Sequence, residues 1–146
     1  MYALRIDPDA SVIELSLPAS DVQSAVREHV GSGAVDQGVY HRRAVLHIHG
    51  SGLMLGLPQN LAAWALASAW RGMALYPLAG HVVVTGRTAD GEVTGLDGGL
   101  ARHAKSVVQT VRDTLSEWRE RPPASHEAAV RELLAYAVRD VASGGR

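Results

Sequence analysis

Apolar and polar residues alternate at the start of the chain and predict a β-hairpin. Residues 2–6, YALRI, and residues 12–17, VIELSL, each follow the period of two that a half-buried strand shows. The turn between them is signalled by Asp7-Pro8-Asp9, because proline fixes φ. We therefore expect the first two strands to pair with each other.

A helical period replaces the alternation after Pro18. Ser20 and Gln23 have the spacing of a capping box, in which each side chain satisfies an amide that the first helical turn leaves without a partner. Gly31 is expected to end this helix. The apolar residues between these points recur at helical spacing: Val22, Ala25, Val26 and Val30.

A second strand pair is predicted in the middle of the chain. Residues 38–49 indicate one strand, which is most regular from Ala44 to His49. After a glycine-rich turn, residues 53–57 are expected to return as its partner. Pro58 stops the pairing because it has no N–H to donate.

Asn60 is placed to cap a second helix over residues 61–71, LAAWALASAWR. This helix is apolar nearly all round, and such a helix is buried on more than one side. We expect it to lie at the centre of the domain or under a second subunit.

One more strand pair and two amphipathic helices complete the chain. Residues 81–85, HVVVT, predict a buried strand, and the turn at Asp90-Gly91 leads to a return strand at residues 92–94. Residues 100–121 then follow the helical period. A Pro-Pro break separates them from a second helix, which Ser125 can cap and which reaches Val141.

The order ββα–ββα–ββ–αα predicts an α+β fold with a mostly antiparallel sheet built from β-hairpins, two inserted helices and a C-terminal helical hairpin. We expect one structural domain overall, with a core at residues 1–97. The helical hairpin at residues 98–142 packs on that core or on a partner subunit. The tail, residues 143–146, is expected to fray.

Composition limits the functions that this chain can have. Its 146 residues suffice for one domain, and a net charge of -1 gives no general attraction to nucleic acid. The absence of cysteine excludes disulfides, thiolate metal sites and a cysteine nucleophile, and it fits a reducing cytoplasm. No signal peptide and no apolar run of membrane-spanning length are found. We therefore expect a soluble cytoplasmic protein with no membrane partner.

Three segments resemble a known family. MYALRIDPD, GLPQN followed by an alanine-rich helix, and AGHVVVTGRTADGEVTGL are similar to an uncharacterised family of phage, plasmid and actinobacterial genomes, catalogued as domain of unknown function 3846. The resemblance covers about residues 1–97 and implies an accessory protein of a phage, plasmid or other mobile element. An actinobacterial source also fits the strong preference for arginine, since Lys105 is the only lysine.

The histidines offer a possible metal site. His47 and His49 form an H-x-H on a predicted strand, so both imidazoles should lie on one face. His41 is expected at the far end of that face, too distant to share the ion, whereas His81 or Asp97 can complete the site. Imidazoles are the usual nitrogen ligands of zinc, so a metal-dependent hydrolase is one alternative. The other interpretation is a solvated or half-buried strand face without a ligand.

A site for a small anion is the second alternative. Arg42 and Arg43 suit bidentate contacts to phosphate, with His41 beside them. Gln59 and Asn60 lie at a helix start, whose free amides can bind an anion. The chain would then be a sponge or sensor for a nucleotide-like ligand, although a solvated strand end and a simple helix cap explain the same residues.

No recognised catalytic signature is present. The chain lacks G-x-x-x-x-G-K-[ST], G-x-G-x-x-G, G-x-S-x-G and H-E-x-x-H. The leading hypothesis is therefore a non-catalytic binding or interaction module, with no cofactor unless zinc binds at His47 and His49. The apolar helix and the helical hairpin further predict a homo-oligomer, with a dimer as the expected form.

Overall fold

The computed structural model describes residues 1–143, in which six strands form one sheet. The strands are β1 Tyr2–Ile6, β2 Val12–Ser16, β3 Val35–His41, β4 Ala44–His49, β5 Val82–Arg87 and β6 Val93–Thr94. Their order is β2-β1-β5-β4-β3, and β6 pairs with the last residues of β5. All of these pairs are antiparallel, so the predicted sheet is confirmed.

Four helices lie in the same described residues. They are α1 Val22–Val30, α2 Leu61–Arg71, α3 Gly98–Glu120 and α4 His126–Ser143. The predicted order and the α+β class are confirmed. None of these helices combines the length and the apolar character that a bilayer span requires. The tail predicted to fray began at Ser143, which instead ends α4, and its remaining residues 144–146 lie outside the described residues.

β5 is the central strand of the sheet. Its Val84 stands opposite Leu4 of β1 on one side and Leu46 of β4 on the other. Residues 82–86 are all buried, as expected for a strand that is covered on both faces and therefore has a continuous apolar sequence. The prediction of a buried strand here is confirmed.

The predicted strand at residues 53–57 is wrong. The chain from residue 50 to residue 57 instead closes on itself through backbone hydrogen bonds. The N–H of Leu55 donates to the C=O of Ser51 at 2.9 Å, and the N–H of Leu57 donates to the C=O of Gly52 at 3.0 Å. These local bonds use the amides that a strand would need for pairing, so an apolar run forms a turn here.

β4 pairs with β3 instead, and the chain reverses at Arg42 and Arg43. The single strand predicted over residues 38–49 is therefore wrong, because those residues contribute to two strands. β3 lies at the edge of the sheet, and its register shifts between Gly38 and His41, which disturbs the alternation that identifies a strand. The Arg-Arg turn also lacks the glycine or asparagine that usually marks a hairpin.

α1 begins one residue later than the capping box predicted. The side chain of Asp21, rather than that of Ser20, accepts a hydrogen bond from the N–H of Ser24 at 3.4 Å. The capping role assigned to Ser20 is thus wrong, because its neighbour occupies the capping position. The predicted end is confirmed, since Gly31 adopts a left-handed φ of 83° and its N–H donates to the C=O of Arg27 at 2.8 Å.

Asn60 caps α2 as predicted and also ties the helix to the sheet. Its side-chain oxygen accepts from the N–H of Ala63 at 3.0 Å. Its amide nitrogen donates to the C=O of Ile6 at 2.8 Å and of Gly80 at 2.9 Å. Residues 62–69 are all buried, which confirms that this helix is covered on more than one side.

The two faces of the sheet carry separate apolar clusters. On the face with the larger cluster, the sheet packs on α2, and α2 packs on α3 and α4. This cluster includes Leu4, Leu46, Val84, Leu66, Leu100, Val107 and Leu133. The opposite face packs on α1 through Ala3, Val83, Val26 and Val30. The C-terminal helical hairpin therefore packs on the core of its own chain.

Candidate functional site

Strand alternation puts His47 and His49 on the sheet face that α1 covers. His47 stands opposite Val83, which belongs to the cluster beneath α1. It is fully buried, and its Nε2 lies 2.9 Å from the hydroxyl of Thr85. His49 is half-buried, and its Nδ1 accepts from the N–H of Ser51 at 3.1 Å. The two imidazoles share a face as predicted, but they lie in different environments.

Burial decides the charge of His47. Removal from water disfavours the imidazolium and lowers the pKa of His47 to about 4. Its Nδ1 has no hydrogen-bond partner among the described residues. Within residues 1–143, no group of three or more His, Cys, Asp or Glu side chains is arranged to hold a metal ion. The zinc alternative at His47 and His49 therefore has no third protein ligand in place within that part of the chain.

His41 lies on a different strand from His47. It ends β3, and its ring centroid lies 5.3 Å from that of Trp70. Burial lowers the pKa of His41, and the nearby charge of Arg43 lowers it further. The expectation that His41 would join the far end of the His47 strand is wrong, because the chain reverses between them.

Arg42 and Arg43 form the exposed turn between β3 and β4. The guanidinium of Arg43 lies 3.9 Å from the carboxylate of Asp97, and the backbone C=O of Arg42 accepts from the Arg87 side chain at 3.2 Å. Asp97 itself caps α3 by accepting from the first amides of that helix. Both arginines are thus accessible to an anion, but a carboxylate already lies beside one of them.

The structure separates the residues predicted for the anion site. Ala44, next to the arginine turn, pairs with Gly86 at one end of β5. Asn60 bonds to Ile6 at the opposite end, is fully buried and uses both polar atoms of its side chain within the fold. Gln59 is exposed and lines a cavity with other residues. Only Gln59 of the two helix-start residues is therefore available to a ligand.

A charged cluster that the sequence did not reveal joins β1 to the start of β5. The Nδ1 of His81 lies 2.6 Å from Oδ1 of Asp7. Arg5 donates to both oxygens of the same carboxylate, to Oδ1 at 2.9 Å and to Oδ2 at 3.2 Å. His29 of α1 lies 3.3 Å from the same arginine. His81 is 74 positions away from Asp7, so no local pattern could have paired them. Because Arg5 binds the Asp7 carboxylate with two hydrogen bonds, we interpret this cluster as a structural contact that stabilises the end of the sheet.

The second feature that the sequence did not predict is an exposed apolar patch, which we call the Leu53–Tyr76 surface. It consists of Leu53, Met54 and Leu55 on the turn after β4 and Tyr76 on the loop after α2. Their exposed fractions are 56%, 91%, 66% and 64%. A depression of about 250 Å³ touches three of the four side chains, which shows that the two loops adjoin. The patch was missed because its apolar run was predicted to be a strand.

A larger cavity, which we call the Trp64–Trp118 pocket, lies between α2 and the turn end of the helical hairpin. Its volume is about 700 Å³. Its polar lining residues are Gln59, His126, Glu127 and Arg131. The apolar ones are Leu61, Trp64, Ala74, Leu75, Pro77, Trp118, Ala129, Val130, Leu133 and Leu134. The sequence had no signal for this cavity, because a cavity depends on where the helices diverge.

No protein-family model matches this chain, and neither a curated protein nor a solved structure shows significant similarity to it. The resemblance of residues 1–97 to domain of unknown function 3846 stays a prediction.

Proposed function

We propose that this protein is a non-catalytic interaction module that forms a homodimer through the Leu53–Tyr76 surface. The observation that carries the proposal is the exposure of three consecutive apolar side chains on an ordered turn. Met54 alone exposes 91% of its surface. Contiguous apolar patches of this kind are uncommon on monomers and mark interaction sites.

The backbone of the turn is closed before any partner arrives. Its four residues from Leu53 to Gly56 are closed by backbone hydrogen bonds, including Gly56 N–H to Leu53 C=O at 3.2 Å. A preformed surface loses little conformational entropy on association, which favours binding. The turn is therefore built to present Leu53, Met54 and Leu55 outward.

A second copy of the same chain is the partner that this surface fits. Met54 projects beside a depression of about 250 Å³ that Leu53 and Tyr76 also line. When a projection and a depression adjoin on one surface, a two-fold axis lets each copy insert its projection into the other. The proposed dimer is isologous, with the two turns close to the axis.

The charges around the patch favour a protein partner over a lipid surface. Residues 50–60 and residues 72–80 contain no charged side chain. Apolar segments that bind at a membrane surface are usually accompanied by lysine or arginine, which attract anionic lipids. Among the described residues that line the depression, Asp36 carries the one carboxylate, and no lysine or arginine lies there to attract an anionic lipid surface.

Light scattering coupled to size exclusion tests the dimer. We expect a mass of about 31 kDa, twice the chain mass of 15.5 kDa. Met54→Arg should give the single-chain mass, because it buries a charge without a partner at the axis. Val138→Arg is the matched control, since Val138 is also exposed but lies on α4. A wild-type monomer at micromolar concentration, or a dimer that survives Met54→Arg, would contradict the proposal.

We also propose that the module acts in the cytoplasm as an accessory protein of a mobile element, in an actinobacterial setting. The support is the family resemblance of residues 1–97 and the absence of cysteine, which suits a reducing compartment. Expression of a tagged chain with cell fractionation tests the location, and recovery outside the cytoplasm would contradict it.

A further inference from the structure

We infer that the Trp64–Trp118 pocket binds a small molecule with an apolar body and an anionic head group, of the medium-chain carboxylate type. This site adjoins the Leu53–Tyr76 surface along the loop after α2, since Pro77 lines both, but none of the four side chains of that surface lines the pocket. Its volume of about 700 Å³ is that of a small-molecule site, for which roughly 300–1,000 Å³ is usual. Its lining is mostly apolar, with a few polar groups, as in sites of that kind.

The cavity lies where the long helix α3 continues beyond its buried contacts with the shorter helix α2. α3 has 23 residues and α2 has 11, so α3 is longer by about 18 Å at 1.5 Å per residue. The fully buried residues of α3 end at Thr114, and one turn later Trp118 is only half-buried. The gap that remains between α2 and the end of the hairpin is apolar and open to a ligand.

Two tryptophans from different helices line the cavity. Trp64 of α2 is a fixed wall, because it is 4% exposed and its indole N–H donates to the C=O of Leu75 at 2.7 Å. Trp118 of α3 is half-buried and makes no such bond within the described residues. Flat aromatic side chains suit aliphatic or aromatic ligands, because such ligands bury apolar surface against the rings without needing a hydrogen-bond partner there.

The rim supplies the preference for an anion. Arg131 of α4 is exposed, and no ion pair or hydrogen bond within residues 1–143 engages its side chain. His126 lies at the same rim, at the positive end of the α4 dipole. Among the described lining residues, Glu127 carries the one negative charge, so an anionic head group must lie toward Arg131. An arginine beside an apolar cavity is the arrangement that a carboxylate with an apolar body requires.

Three probes that share one alkyl chain separate the apolar and the ionic parts of this inference. Decanoate, decan-1-ol and decyltrimethylammonium are titrated below micelle formation, and tryptophan fluorescence reports the change around Trp118. We expect decanoate to bind about tenfold more tightly than decanol, the effect of one charge-assisted bond, and the cation to bind most weakly. Equal binding of all three probes would overturn the anion preference, and no fluorescence change with any of them would overturn the site.

Variants assign the binding to this pocket. Arg131→Gln should remove the tenfold preference for decanoate and leave decanol unchanged. Arg102→Gln, an exposed arginine at the distant start of α3, should change neither. Ala129→Phe fills the cavity from α4 and should abolish binding of both probes while the circular dichroism stays native. Undiminished decanoate binding by either pocket variant would overturn the inference. Loss of the dimer at saturating decanoate would also overturn it, because the pocket would then be part of the dimer interface and not a separate ligand site.

Discussion

His47 shows how one buried side chain sets the acid sensitivity of this sheet. A neutral imidazole has one N–H, and Thr85 can accept it at 2.9 Å. Protonation adds a second N–H at Nδ1, which has no hydrogen-bond partner among the described residues. Burial already disfavours the charge, so the folded protein resists this protonation and the pKa of His47 falls to about 4.

Acid should therefore destabilise the protein before most carboxylates titrate. The folded pKa of His47, about 4, lies below its ordinary value of 6.5, so the unfolded chain binds more protons between these values. The contribution of His47 to the free energy of unfolding should be fully present above pH 6.5. It should fall by about 2–3 kcal/mol as the pH drops toward 4. Urea unfolding at several pH values measures this. His47→Leu should lose this part of the pH dependence, and the exposed His126→Gln should keep it; equal slopes in all three proteins would contradict the assignment.

Zinc should leave the thermal stability of the purified, untagged protein unchanged. A ligand that binds the native state raises the melting temperature, but His47 is fully buried and already paired with Thr85. Differential scanning fluorimetry with and without zinc checks this expectation. A rise in Tm that His49→Gln abolishes would revive the metal-dependent alternative.

At the scale of elements, helices and the central strands were predictable, and the edge strand was not. Asn60 and the apolar sequence of residues 61–71 predict the bounds of α2, because capping and burial are local properties of the sequence. β3 depends on its neighbour for register, and its irregular pairing near Gly38 hides the period of two. The candidate site shares this limit, since both the Leu53–Tyr76 surface and the Trp64–Trp118 pocket arise where elements meet.

Gly86 tests how closely β5 and the chain after β6 approach. A Cβ at this position would collide with the backbone carbonyl oxygen of Gly95, which cannot move without breaking the end of the sheet. Gly86→Ala should lower the free energy of unfolding by about 1–3 kcal/mol, the usual cost of overpacking. Gly33→Ala is the control, because its Cβ would meet nothing within 4 Å, and it should change stability by less than about 0.5 kcal/mol. Similar urea midpoints for the two variants would contradict this packing.

At the scale of the whole molecule, the structure changes the reason to expect a dimer. The apolar helix α2 suggested a second subunit, yet its residues 62–69 are buried by the sheet and by the α3–α4 hairpin of the same chain. Four of the five most exposed large hydrophobic side chains of the described residues belong to the Leu53–Tyr76 surface, and three of these four lie on a turn without charges. The proposed dimer therefore rests on a turn between elements rather than on a helix face.

Cross-linking at position 54 tests this account most directly, and the absence of cysteine from the chain makes it clean. Near a two-fold axis a residue faces its own copy, so two Met54→Cys chains should be joined by a short bis-maleimide. We predict a covalent dimer of Met54→Cys in dilute solution and little or none of Val138→Cys, whose side chain lies on α4. Equal cross-linking of the two variants, or none at position 54, would contradict the proposed interface.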